Sequence, residues 1–409
     1  MSFSKHPVGV VGTFDVPNYG DLLFPLVASF KLGLGDHELL AVSPSDNKVY
    51  FEDAKPATTL DNLLKHDITP TAFLIGGGNI VHAGTANMPE HYAGDLDRSA
   101  YASLWLGTAT MAAFYNSPLI WNAPGVPLPF SQMAGHAMKH VLRASSYVSV
   151  RDQKSLDNLD APEDVDVALV PDTIFSLPEL WPKNGLKERF RTLVREHGGS
   201  VAKRYMAVHV KARSLDRDYK FMAEQLDGFS SKMQVIPVLL ALGHCHDDHL
   251  AADKISGLMT ASHLNFARLT SLADVAATLA GSCAYVGASM HGYITAVSYG
   301  NPARIIGKPD LPKNRAVTKM LNREQDFLGS WEVALDLPLS WMQEDASATL
   351  ALIADDIVPR LDQHWTTIGQ IIREGDDARV VFRNRLARLL LRYQIRHSGI
   401  SQFMTIFTE

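Results

Sequence analysis

The sequence predicts an α/β protein with two doubly wound parallel sheets, each in its own domain. Short apolar runs alternate with segments of helical periodicity from residue 8 to about residue 307. The alternation is interrupted once, where two prolines in SLPELWPKN indicate a linker. Helical connections between strands imply parallel pairing with right-handed crossovers. We therefore predict an N-terminal domain at 1–176, a linker at 177–184, a second domain at 185–340 and a helical segment at 341–409.

Length and composition fit a two-domain protein. The chain has 409 residues, more than one ordinary hydrophobic core accommodates. Hydrophobic residues make up 46% and charged residues 20%, as in soluble globular proteins. The formal net charge is 38 minus 44, or −6, which argues against a nucleic-acid-binding protein because phosphate neutralisation needs a basic surface. A protein with a small ligand is the better expectation.

Cysteine content and the lack of targeting signals predict a cytoplasmic protein. Cys245 and Cys283 are too few for a disulfide framework and are typical of a reducing compartment. The first predicted strand begins at Pro7, and no charged leader with an apolar run precedes it. No uncharged apolar stretch is long enough to span a bilayer.

The N-terminal half carries polar residues in the loop after its first strand. The apolar run at 8–14 is typical of a strand covered by helices on both faces. Asn18 and Asp21 follow it, and their short side chains either cap the next helix or contact a ligand. Further strands are predicted at 38–42, 72–75, 118–122, 147–150 and 168–170, and helices at 22–32, 60–65, 100–114, 131–144 and 155–159.

A glycine-rich turn follows the strand at 72–75. Gly76, Gly77 and Gly78, with Asn79 after them, form either a plain tight turn or a nest of backbone amides for an anion. Their spacing does not match the dinucleotide fingerprint G-x-G-x-x-G.

Three basic residues stand at or just beyond strand ends. Arg151 follows the strand at 147–150 and lies beside Asp152, so it is either a salt-bridged helix start or a ligand-binding cation. Lys211 and Arg213 follow the strand at 205–210 and form either an exposed loop or a second pair of such cations. The second domain is also predicted to contain a strand at 234–240 and helices at 186–196, 221–229, 272–280 and after Asp248.

The segment AYVGASMHGYITAVSYGNPARIIG at 284–307 organises the second half. It predicts a buried strand, a turn with Ser289, Met290 and His291, a helix of small residues and another strand. Ligands bind at the carboxyl ends of parallel strands, so His291 occupies a position suited to chemistry. The alternative is that His291 caps the following helix.

Two further clusters have competing interpretations. GHCHDDH at 243–249 holds zinc-ligand types, but structural zinc sites draw their ligands from two separated pairs, so we predict no metal.

Arginines and apolar residues recur at helical spacing at 380–396, with no acidic residue in the stretch. Such a basic amphipathic helix either packs on its own protein or lies peripherally on an anionic membrane.

Five segments resemble the polysaccharide pyruvyl transferase family, in the family's order. They are GTFDVPNYGD, FLIGGGNI, SYVSVRDQKSLDNL, PDTIF and SMHGYITAVSYGNPARII. The resemblance implies two facing Rossmann-like domains, similar to B-type glycosyltransferases. It also implies transfer of pyruvate from phosphoenolpyruvate, as a co-substrate, to a glycan or lipid-linked sugar acceptor. From the cysteine content and the basic helix we expect the protein in the cytoplasm or at the inner face of the membrane. No metal or organic cofactor is expected, and the sequence leaves open whether the chain forms a homo-oligomer.

The chemistry of this reaction assigns roles to the candidate residues. The enol methylene of phosphoenolpyruvate must be protonated, and His291, which matches the family's histidine, is suited to that. The donor's carboxylate and phosphate need cations and amides, for which Arg151, Lys211, Arg213, Ser289 and the glycine turn are candidates. Acceptor or loop contacts fall to Asn18, Asp21 and Asn79.

One position departs from the family pattern. The family's R-x-H is Ser289, Met290, His291 here, and a serine cannot form a bidentate charged contact. Either Lys211, Arg213 or Lys308 substitutes, or the donor differs, or activity is lost. Two alternatives therefore remain: a B-type glycosyltransferase that uses a nucleotide-sugar, and a non-catalytic relative.

Overall fold

The first sheet of the computed structural model, which describes residues 6–88 and 90–400, has five parallel strands. Their order is β3-β2-β1-β4-β5. The strands are β1 (Val8–Val11), β2 (Leu39–Val42), β3 (Ala57–Thr58), β4 (Ala72–Ile75) and β5 (Leu119–Trp121). All four residues of β1 are buried, because helices cover both faces of the sheet. Strands β6 (Ser149–Val150) and β7 (Ala168–Leu169) pair with each other, and one bridge from Ile120 to Tyr147 joins them to β5.

Six helices surround this sheet. They are α1 (Tyr19–Leu32), α2 (Leu60–Lys65), α3 (Asp95–Ala102), α4 (Thr108–Tyr115), α5 (Gln132–Ala144) and α6 (Gln153–Leu159). The helix predicted at 100–114 begins earlier, at Asp95, and passes through a π-helical turn at Ser103–Gly107.

The predicted linker is helical. It forms α7 (Leu177–Leu180) and the start of α8 (Lys183–Glu196). Its two prolines occupy the first turn of α7 and the position just before α8, where proline is well tolerated. Leu177 is fully buried, and the Tyr299 hydroxyl donates to the Trp181 carbonyl over 2.7 Å. The prolines therefore start helices that pack on the second half.

The second sheet has six parallel strands in the order β10-β9-β8-β11-β12-β13. The strands are β8 (Tyr205–His209), β9 (Ile236–Leu240), β10 (Leu264–Phe266), β11 (Ala284–Gly287), β12 (Ala303–Ile306) and β13 (Phe327–Leu328). Its helices are α9 (Tyr219–Met233), α10 (Asp248–Ser256), α11 (Leu272–Gly281), α12 (Met290–Ser298), α13 (Pro312–Met320) and α14 (Trp331–Asp336). The prediction of an α/β fold with two parallel sheets is confirmed.

Loops at the carboxyl ends of the strands hold the two halves together. The Tyr19 amide donates to the Leu242 carbonyl over 2.8 Å, and the His244 amide to the Pro17 carbonyl over 3.0 Å. The Asp53 carboxylate accepts the Leu272 amide over 2.7 Å at the start of α11. One hydrophobic cluster also contains buried residues of both halves.

Of the last three helices, the first packs on α12 of the second half, and the other two return to the first half. They are α15 (Ser347–Leu352), α16 (Val358–Glu374) and α17 (Val380–Ser398). Trp365 and Ile368 of α16 join the shared core, and Leu386 of α17 is fully buried against α4 and α5. None of the helices formed by the described residues combines the length and hydrophobicity that a membrane span requires.

Candidate functional site

A cavity of about 700 Å³ lies where the strand ends of the two sheets face each other. Its lining residues come from the segments that follow eight parallel strands, β1, β4, β5, β6, β8, β9, β11 and β12, as expected for the carboxyl edge of such sheets. The polar residues lining it include Thr13, Asn18, Asp21, Asn79, Arg151, Lys211, Arg213, Ser289, His291 and Lys313. The structure thus brings together all the predicted site residues except the three glycines.

His291 stands in the first turn of α12, and only 8% of it is exposed. The helix cap is Ser289, whose hydroxyl accepts the Gly292 amide over 3.3 Å, so the alternative in which His291 caps the helix is wrong. The Nε2 atom of His291 has no hydrogen-bond partner. A Cβ atom at Gly20 would lie only 1.5 Å from His291 Nδ1, so α1 must carry a glycine there.

Asp172 is the carboxylate nearest to His291, and sequence reasoning did not single it out. Its Oδ2 lies 3.6 Å from His291 Nε2 and 3.5 Å from Arg151 Nη1, and its Oδ1 accepts the Ile174 amide over 3.1 Å. Burial opposes ionisation, but His291, Arg151 and that amide outweigh it and lower the pKa of Asp172. The sequence feature that could have identified Asp172 was its place in PDTIF, shortly after β7.

Arg151 is a buried cation held by neighbours from three loops. Its Nη2 donates to Asn79 Oδ1 over 3.1 Å, and its Nε lies 3.5 Å from Asp152 Oδ2 without a hydrogen bond. Asp152 itself caps α6 by accepting the Ser155 amide over 2.7 Å. Arg151 is therefore ion-paired, as a salt-bridged helix start would be, and it also lines the cavity, where a ligand-binding cation would lie.

Asp21 faces the cavity instead of capping α1. It accepts the Thr13 hydroxyl over 3.1 Å, and Asn18, at the cap position, makes no capping hydrogen bond with its side chain. Burial raises the pKa of Asp21, although His291 and Lys313 act in the opposite direction. A carboxylate with a raised pKa is suited to accept a proton near neutral pH.

The glycine-rich turn supports the site from outside the cavity lining. The Gly76 amide donates to the Val11 carbonyl over 2.7 Å and so has no hydrogen left for an anion. A Cβ atom at Gly77 would lie 2.0 Å from the Phe24 ring, and Gly78 has a φ of 88°. Close packing and a left-handed backbone explain these glycines.

Lys313, at the start of α13, is a site residue that sequence reasoning missed. Burial, together with the charges of Arg151 and Lys211, lowers its pKa to about 7. Lys211 and Arg213 line the same cavity and form no ion pair within the described residues. Lys308, one of the predicted substitutes, instead binds Asp216 Oδ1 over 3.1 Å and is not part of the lining. The signal for Lys313 was a lysine shortly after β12.

The side chains of the histidine-rich cluster have different surroundings in the structure. His246 lines the cavity, and burial together with Lys211 lowers its pKa to about 4. His244 bonds the Ala267 carbonyl over 2.8 Å and stacks on His249. Across residues 6–88 and 90–400, no three His, Cys, Asp or Glu side chains are grouped to hold a metal ion.

The chain has two parallel sheets with a cationic site between them, in a fold similar to that of the B-type glycosyltransferases. The chain belongs to the polysaccharide pyruvyl transferase family, whose model matches residues 18–307, more than half of its length. The resemblance drawn from its five segments is therefore confirmed. No curated protein sequence matches the chain.

The chain is similar in fold to solved structures that share little sequence with it. The S. aureus MnaA–UDP complex has a TM-score of 0.50 at 11% identity, over 85% of this chain and 91% of that one. The wall teichoic acid polymerase TagF has a TM-score of 0.49 at 10% identity, over 91% and 89%. UDP-GlcNAc 2-epimerase from Neisseria meningitidis, bound to UDP-GlcNAc, has a TM-score of 0.48 at 13% identity, over 88% and 100%.

Proposed function

We propose that this chain transfers pyruvate from phosphoenolpyruvate to a sugar of a cell-surface polysaccharide or its precursor, with His291 as the general acid. The observation that carries the proposal is one cavity lined by His291 together with Arg151, Lys211, Arg213 and Lys313, with the Asp172 carboxylate 3.6 Å from His291 Nε2. Family membership supplies the reaction class, and the described geometry supports the roles of the individual side chains.

The proposed acid step begins with a proton on His291. Asp172 stabilises the imidazolium and orients the ring, as a carboxylate does for a catalytic histidine. Transfer of the proton to the enol methylene makes it a methyl group and leaves the central carbon electrophilic. One sugar hydroxyl then adds, phosphate leaves, and a second hydroxyl closes the ketal. Of the two hydroxyl protons released, one restores His291 and the other leaves with phosphate.

Asp21 is suited to accept a proton from the attacking hydroxyl. Its pKa is raised by burial, and it lies within the electrostatic reach of His291. In this role it takes the proton of the attacking hydroxyl and passes it to the departing phosphate, which leaves Asp21 unprotonated again, while Asn18 and Asn79 provide hydrogen bonds to the sugar.

Lys313 is the proposed replacement for the family's missing arginine. The Ser289 hydroxyl is occupied in capping α12, and Lys308 is occupied by Asp216. Lys313 lies close enough to Arg151 and Lys211 to lose part of its proton affinity. A phosphate or carboxylate among these cations favours the charged lysine and is held by Arg151, Lys211, Arg213 and the start of α12.

Isothermal titration with phosphoenolpyruvate tests the proposal. We expect the wild type to bind, and Lys313→Met to bind roughly 10- to 100-fold more weakly because one charge-assisted hydrogen bond is lost. Lys308→Met is the matched control and should bind like the wild type.

Two results contradict the proposal. Binding of UDP without binding of phosphoenolpyruvate favours a glycosyltransferase that uses a nucleotide-sugar. Absence of binding by either compound, in the presence and absence of extracted bacterial polysaccharide, favours a non-catalytic relative.

A further inference from the structure

The C-terminal helix α17 has an inner face that attaches it to the protein. Leu386 and Arg383 are almost fully buried, and Phe382 packs against the core of the first half. Arg383 Nε donates to Asn116 Oδ1 over 2.9 Å, next to the end of α4. The helix is therefore docked on its own protein through this face, which was one of the two interpretations of 380–396.

The outer face of α17 alternates arginines with aliphatic side chains. Residues three and four positions apart lie on one side of a helix. The arginines and aliphatic residues on the side away from Leu386 have this spacing. The outer face comprises Arg385, Arg388, Leu391, Arg392, Ile395 and Arg396. All four arginines are exposed, and none forms an ion pair within the described residues. Leu391 is 45% exposed although it is a large aliphatic residue.

This outer face extends toward the end of the molecule where the cavity opens. Arg379 Nη1 at the start of α17 donates to the Arg143 carbonyl in the last turn of α5 over 3.3 Å, so the two packed helices run antiparallel. The later part of α17 accordingly runs toward the start of α5, where Met133 is 71% exposed. Leu128, just before α5, is 62% exposed and lines the cavity.

We propose that the outer face of α17 binds the surface of a membrane that contains anionic lipids. Arginines at this spacing contact lipid phosphates, and the aliphatic side chains between them enter the boundary of the acyl region. The sequence has no acidic residue from Arg379 to Thr408, so nothing within the helix opposes a negative surface. The interleaved aliphatic residues favour a bilayer over a nucleic acid, which offers no apolar phase. Binding in this orientation would bring the cavity rim near lipid-linked or membrane-associated glycans.

Co-sedimentation with vesicles tests this docking surface independently of the transferase reaction. The wild-type chain should bind phosphatidylcholine vesicles containing about one third phosphatidylglycerol and should not bind pure phosphatidylcholine. Replacing Arg388, Arg392 and Arg396 together by Gln should lower the partition coefficient on the order of 100-fold, since each basic residue contributes to binding an anionic surface. Increased salt should weaken wild-type binding.

A control variant removes the same charge from a different exposed helix. Lys187, Arg191 and Arg195 of α8 are all exposed, and their replacement by Gln should leave vesicle binding within about twofold of the wild type. Thermal unfolding of both triple variants checks that α17 and α8 remain folded. Equal loss in both variants, equal binding to neutral vesicles, or binding to DNA without binding to vesicles would each overturn the proposal. Vesicle binding without phosphoenolpyruvate binding would support this surface and count against the proposed reaction alone.

Discussion

Two histidine–carboxylate pairs stand at adjacent strands of the second sheet, and they differ in what surrounds them. His209, the last residue of β8, bonds Asp248 with an Nε2–Oδ2 distance of 2.7 Å, and both side chains are fully buried. His291, in the first turn of α12 after β11, faces Asp172 with an Nε2–Oδ2 distance of 3.6 Å and lines the cavity. Burial lowers the pKa of His209 despite the nearby Asp248, so its neutral ring donates a fixed hydrogen bond.

The comparison separates a structural pair from one able to exchange a proton with a ligand. The His209 pair is short and fully buried, and Asp248 is the first residue of α10. The His291 pair is longer, and its Nε2 has no hydrogen-bond partner. The same residue types thus serve stability or chemistry according to contact length and access to the cavity.

The largest expected effect is on turnover of the His291→Gln variant. Removing the general acid should reduce phosphate release from phosphoenolpyruvate by about 10²- to 10⁴-fold, with extracted bacterial polysaccharide as acceptor. The midpoint of thermal unfolding should stay near that of the wild type, because Nε2 holds no structural hydrogen bond. Turnover within threefold of the wild type would remove His291 from the mechanism.

The opposite pattern is expected for His209→Leu. The change leaves the buried Asp248 carboxylate without its donor, which should cost about 3 kcal/mol of unfolding free energy. Urea denaturation measures this loss. Phosphoenolpyruvate affinity of the folded fraction should be unchanged, and a stable variant with impaired binding would contradict the structural role.

An intermediate effect is expected for Asp172→Asn. The amide cannot stabilise an imidazolium, so turnover should fall roughly 10- to 100-fold. The lowered pKa of Asp172 also carries a sign for stability: its contribution is present above the ordinary carboxyl pKa and is lost as the pH falls through the folded value. The variant's unfolding free energy should therefore be lower than that of the wild type at pH 7, and the two values should converge in acid.

The smallest effect concerns the pH dependence of donor binding through Lys313. With a pKa of about 7, the free lysine is neutral above that pH and must take up a proton when an anion binds. Affinity for phosphoenolpyruvate should then fall by up to about tenfold per pH unit above pH 7. Lys313→Arg keeps its charge and should flatten this part of the profile. If the affinity of Lys313→Arg for phosphoenolpyruvate fell equally steeply above pH 7, Lys313 would be excluded as the origin of the pH dependence.

The types of the helices and strands were largely predictable from the sequence, and the strands that were missed share a cause. The inner strands β1, β4, β8 and β11 are continuous apolar runs covered on both faces, so their periodicity is strong. The strands that were missed, β3, β10 and β13, are two or three residues long and lie at sheet edges. The helices within 177–184 were not predicted because a proline looks the same in sequence whether it breaks a helix or begins one.

The sequence by itself determined the alternation of strands and helices, the family, and the position of His291 just past a buried strand. These depend on contiguous residues, whose spacing sets which faces are apolar and where a strand ends. Only the tertiary structure brought Asp172 and Lys313 to His291 and made Ser289 the cap of α12. It also packed one face of α17 and left the arginines of the outer face exposed. Those outcomes depend on how distant segments pack, because burial and neighbouring charge arise between elements and not within them.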